Sequence, residues 1–66
     1  MHNSDFKLKP GRLYYEMDDF TNKIKSYLIY LEKGNTNSYP YIFYDINKKR
    51  LCAFGPYYVH FSICEI

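Results

Sequence analysis

Tryptophan is absent from this chain, cysteine occurs twice, and glycine and proline three times each. Two cysteines, Cys52 and Cys64, are too few for a disulfide framework, so a small fold cannot be stapled that way. No apolar run approaches the ~20 residues that cross a bilayer. The uncharged stretch Gly34–Tyr44 is short and full of Asn, Ser and Tyr, so no membrane partner is expected. Met1–Pro10 has no apolar core of a secretion signal, which predicts a cytoplasmic location with free thiols. Soft metal ligands are equally scarce. His2, Cys52, His60 and Cys64 never fall at CxxC or HxxxH spacing, and four residues along a strand put His60 about 13 Å from Cys64. Neither metal nor cofactor is expected.

What the chain has in excess is aromatic bulk. Nine Tyr and five Phe in 66 residues make up 21% of the sequence, in a composition that is 47% apolar with a formal net charge of +2. Such a chain is too rich in buryable surface to be disordered and too short for two domains. It buries only ~60% of its unfolded surface, and aromatic rings are its substitute for disulfides.

Turn chemistry divides the sequence. Residues 1–7 read as a flexible lead, and residues 8–66 as one domain. Pro10-Gly11 predicts a type II turn, with Pro presetting φ and Gly supplying the positive φ that follows. Leu13–Met17 alternates, with Leu13, Tyr15 and Met17 on one face and Tyr14 and Glu16 on the other. Asp18–Lys23 is a polar loop, and Glu16, Asp18 and Asp19 form a solvated acidic group there. Ile24–Lys33 fits a helical period in part, but its β-formers and missing N-cap predict a long strand. Gly34–Ser38 is turn, Tyr41–Ile46 a strand, Asn47-Lys48 a hairpin turn, and Lys49–Phe54 the return strand. Gly55-Pro56 breaks the chain before a last strand, Tyr57–Ile63. The fold class is therefore all-β, five antiparallel strands in a small barrel. The lead-in Leu8-Lys9-Pro10-Gly11-Arg12-Leu13 resembles the opening of SH3-like barrels, and Gly55 before the last strand fits that pattern. Leu13-Tyr14-Tyr15-Glu16 looks like the aromatic start of a eukaryotic SH3 domain. The resemblance implies an SH3-like barrel. The Trp pair with which such domains grip proline-rich peptides has no counterpart here, so no ligand carries over.

A turn at Asn47-Lys48 pairs Tyr44 with Leu51 and Ile42 with Ala53. Placing Leu51 and Ala53 on the face of Val59, Phe61 and Ile63 makes an inner set with Ile42, Tyr44 and Ile46. The outer set then contains Tyr41, Phe43, Asp45, Arg50, Cys52, Phe54, Tyr58, His60, Ser62 and Cys64. So small a barrel holds about half of the fourteen rings. The remainder predict an exposed aromatic patch of Tyr41, Phe43, Phe54 and Tyr58, rimmed by Lys48, Lys49 and Arg50. That register also puts Cys52 opposite His60, a thiolate–imidazole arrangement, but with no orienting group or cleft to make it catalytic. No enzyme is expected.

These expectations add up to a non-enzymatic module that binds a protein, or itself, through the aromatic face. The alternative is single-stranded RNA or DNA stacked on the same rings, for which a net charge of +2 and a pI of about 8.5 are weakly basic. A composition rich in Asn, Lys, Ile and Tyr, in a chain of this size, resembles the small accessory proteins of bacteriophages and other mobile elements. That resemblance implies docking on a host or defence protein so as to modulate or inhibit it.

Overall fold

Lys9 O accepts a hydrogen bond from Arg12 N at 3.1 Å, and Gly11 sits at φ 84°, so Pro10-Gly11 forms the expected turn. Gly11 N in turn donates to Tyr30 O at 2.8 Å, which ties this corner to the sheet. The computed structural model describes residues 8–66; the flexible lead expected over residues 1–7 lies outside the described residues.

Five strands follow: β1 (Leu13–Met17), β2 (Ile24–Lys33), β3 (Tyr41–Asp45), β4 (Arg50–Phe54) and, after a short helix α1 (Pro56–Ser62), β5 (Ile63–Glu65). They form one antiparallel sheet in the order β4-β3-β2-β1-β5. The five antiparallel strands are as the turn spacing predicts; the one short helix is not. β4 and β5 stand at the two ends of the sheet, with no ladder between them among the described residues. The chain passes from one end to the other through α1, which lays Tyr58, Val59 and Ser62 against the sheet's inner face.

That helix replaces most of the strand expected over Tyr57–Ile63. Pro56 at its first position lacks only an N–H that a helix start leaves unpaired, and Gly55 before it is extended. The buried residues Val59, Ser62 and Ile63 fall three and four apart, which is the helical period rather than the strand's. Pairing with β1 begins only at Ile63, opposite Glu16.

The β3–β4 register matches expectation, with Tyr44 opposite Leu51 and Ile42 opposite Ala53. Its connection is longer than two residues. Asp45 Oδ1 accepts Lys48 N at 3.0 Å, Asp45 O accepts Lys49 N at 2.7 Å, and Lys49 takes a positive φ of 57°. On β3 and β4 the facing is the reverse of that expected, while Val59 and Ile63 are inside as expected. Tyr14, Leu28, Tyr30, Phe43, Val59 and Ile63 make the buried core, with Tyr41, Cys52, Phe54 and Tyr58 packed against it. Phe43 is the hub, its ring 6.2 Å from Tyr14, 5.2 Å from Tyr30 and 5.6 Å from Phe54.

Candidate functional site: the outer face of the sheet

Because β-strand side chains alternate, putting Tyr14, Leu28 and Phe43 inside puts their neighbours outside. The ladders align those neighbours in rows across the sheet. One row runs Leu13–Ile29–Tyr44–Leu51 through β1, β2, β3 and β4. A second runs Cys64–Tyr15–Tyr27 through β5, β1 and β2, continued by Ile46, whose N donates to Tyr27 O at 3.0 Å. A third pairs Ile42 with Ala53. None of these positions carries a charge. The first charge on this side is Glu32, which shares a β-bulge with Leu31 opposite Ile42. Leu13, Tyr27, Leu31, Ile46 and Leu51 are exposed, Leu51 by 64%. Tyr15, Ile29 and Tyr44 are half-buried. Cys64 lies close enough to Tyr15 to hold its hydroxyl above the ordinary tyrosine range, by charge first and by hydrogen bonding second.

The aromatic patch expected from sequence is instead part of the core. Phe43 is fully buried; Tyr41, Phe54 and Tyr58 are half-buried against the same cluster. Phe54 and Tyr58 stack with centroids 4.9 Å apart, and Tyr41 lies 6.3 Å from Tyr30. The stacking platform for single-stranded nucleic acid drawn on those rings is therefore only partly open to solvent, with Phe43 closed off. Lys48, Lys49 and Arg50 are exposed as expected; Lys48 and Lys49 lie in the β3–β4 turn at one end of the outer face, while Arg50 opposes the inward Asp45 and so stands on the other side of β4.

The inner face holds the polar groups, against expectation. Glu16, Ser26, Asp45 and Ser62 are all buried. Glu16, taken from sequence as part of a wet acidic loop, accepts a hydrogen bond from the Tyr58 hydroxyl and pairs with Lys25 at 3.8 Å. Burial first, and then that carboxylate, push the Tyr58 hydroxyl well above the ordinary tyrosine range. Asp18 and Asp19 remain in the loop, where Asp18 Oδ1 accepts Phe20 N at 2.8 Å and Thr21 N at 3.3 Å.

Cys52 opposes Phe43 in the ladder, while His60 rides on α1 against Phe61, so the cross-strand thiol–imidazole pair is not formed. Burial, then Asp45, then Glu16 push the Cys52 thiol up to about 11, the opposite of what a nucleophile needs. Both cysteines are free thiols. Among the described residues no cluster of three or more His, Cys, Asp or Glu is placed to hold a metal ion. None of the described helices is long and apolar enough to cross a membrane.

Sequence reasoning missed the outer rows because on β3 and β4 it put the more apolar alternating set, Ile42, Tyr44, Ile46, Leu51 and Ala53, into the core. On β1, where alternation leaves the choice open, Tyr14 and Glu16 are the pair inside. A signal was present: a helix started by Pro56 brings the Tyr58 hydroxyl to the side of an inward Glu16.

The fold and its outer face define a small all-β domain whose sheet presents largely apolar, tyrosine-bearing rows. Comparison with family models, curated proteins and solved structures finds no match for this chain.

Proposed function

We propose that this protein is a non-catalytic interaction module that docks on another protein through the outer face of its sheet. The observation that carries this reading is the absence of charge from the rows Leu13–Ile29–Tyr44–Leu51 and Cys64–Tyr15–Tyr27. A monomer in water normally interrupts such a surface with Lys, Glu or Asp. Tyrosines flanked by aliphatic side chains are what protein interfaces enrich, with large contact area at small entropic cost. Lys48 and Lys49, in the β3–β4 turn, stand at the rim, where charge steers approach. The partner is thus a protein presenting an apolar surface. The role we propose for the docking is that of a bacteriophage or mobile-element accessory protein, modulating or inhibiting a host or defence protein in the cytoplasm.

Two tagged baits test this, wild type and Leu51→Asp, with captured material compared across salt. Leu51 is on an edge strand and largely exposed, so the substitution leaves the core intact. The expected outcome is one or a few proteins held by wild type and released by Leu51→Asp, with little change between about 50 and about 200 mM salt. Nucleic acid retained at low salt and lost steeply over that interval would establish the alternative instead.

A further inference from the structure

We infer that the outer face is also self-complementary, so that in the absence of a partner two copies of this chain pair sheet to sheet across it. The inference rests on the proposed reading of that face as the docking surface, and it names a second copy as an occupant.

Symmetry makes the missing charges decisive. In a two-fold dimer each patch meets its own copy, so any net charge on it faces the same charge. A basic or acidic docking face would repel itself, whereas rows of Leu, Ile, Tyr and Ala do not. The rim residues Lys48 and Lys49 lie in the β3–β4 turn at the β4 end of the sheet rather than over its centre at β2, and Arg50 faces the other side. Tyr44 and Tyr27 keep hydroxyls that can be met by water or by a tyrosine of the other copy.

Area points the same way. Leu13, Ile24, Tyr27, Leu31, Ile46 and Leu51 are each at least 39% exposed. At roughly 200 Å² per large side chain that leaves about 500 Å² per copy, or about 1,000 Å² for the pair. The half-buried Tyr15, Ile29 and Tyr44 add to it. A total near 1,000 Å² is where specific interfaces begin and sits with the weak, exchangeable ones. A dimer of that strength covers the face yet yields it to a partner with better complementarity.

Sedimentation equilibrium of the untagged chain from about 1 to about 200 µM reads this directly, since interfaces at the low end of the size range dissociate at micromolar concentrations. The expected result is a reversible shift from one copy to two, held or strengthened by added salt because no ion pair lies in the contact. Leu51→Asp and Tyr27→Asp should each weaken it at least about 10-fold, by burying a carboxylate against apolar surface. A Tyr57→Ser/Phe61→Ser control, altering an exposed ring pair on α1, should leave it unchanged. Amide chemical shifts of wild type on dilution provide a readout free of any variant, and should move on β1–β4 outward positions. One-copy mass at every concentration would overturn the inference. So would a dimer that Leu51→Asp leaves intact, or dilution shifts confined to α1. If the chain is monomeric but Leu51→Asp still abolishes partner capture, the dimer falls and the docking face stands.

Discussion

Replacing Tyr58 by Phe removes a single oxygen and tests the polar arrangement of the inner face. Glu16 is a buried carboxylate with two partners, the Tyr58 hydroxyl and a Lys25 ammonium 3.8 Å away. The lysine side chain is about half exposed, so its charge is screened and its hold on Glu16 is modest. The hydroxyl is the better partner, and a hydrogen bond to a charged group contributes about 1.5–3 kcal/mol. Tyr58→Phe keeps the stack on Phe54, so packing hardly changes. We expect a loss of about 2 kcal/mol, out of a total of roughly 3–10 kcal/mol at the usual stability per residue. In a domain this small that lowers Tm by about 8–16 °C. Urea unfolding followed by tyrosine fluorescence and far-UV circular dichroism measures it, as a midpoint lowered by roughly 2 M at an m-value near 1 kcal/mol/M. The sign with pH is also fixed. The Tyr58 hydroxyl is held above its ordinary value in the folded chain, so above about pH 10 the unfolded chain loses that proton first. Wild-type stability then falls with rising pH, and the gap to Tyr58→Phe narrows. A difference below about 0.5 kcal/mol at neutral pH, or a gap that widens above pH 10, would refute the reasoning.

Two other outcomes follow from local chemistry. With its thiol pushed up to about 11, Cys52 should alkylate with iodoacetamide at pH 8 about 100-fold more slowly in the folded chain than in urea. Peptide mass spectrometry over time checks this, and equal rates in both states would contradict the burial of that thiol. Gly55→Ala should destabilise by about 1–3 kcal/mol, because the added Cβ would lie 2.7 Å from the Ser38 carbonyl oxygen, a backbone atom that cannot swing aside. Thermal melts decide it, and an unchanged Tm would show that the Ser38 turn yields freely.

Much of the sheet was legible because turn residues are local. Pro10-Gly11, Gly34–Ser38 and the Asp45–Arg50 hairpin each act through their own backbone, so strand limits and the β3–β4 register follow from them. The face was not legible, because facing is a tertiary property. Alternation shows that Leu13 and Tyr14 point opposite ways, and it does not show which way the helix will come. Here α1 packs on the side of Tyr14, Glu16, Phe43 and Asp45, and brings a hydroxyl that makes an inward carboxylate tolerable. The helix itself was masked by composition. Tyr, Val and Phe favour strands, and only Pro56 at the first helical position argued otherwise. The outer face inherited both errors, and its residues emerged as the complement of a core chosen by α1.

The ladder between β1 and β5 has a consequence for how the chain is made. Tyr14 pairs with Glu65 and Glu16 with Ile63, so one of the earliest strands finds its second neighbour only near residue 65. During synthesis β1 to β4 can pair as local hairpins, while one edge of β1 stays bare and the core stays open until α1 and β5 leave the ribosome. Contacts that span most of the sequence are slow to close and dominate the folding time of small β domains. A nascent chain stalled a few residues before Ile63 would thus expose both the inner aromatic cluster and a free strand edge to chaperones and proteases. The pairing of Ile63–Glu65 with β1 thus ties the two ends of the described chain together and holds α1 over the interior.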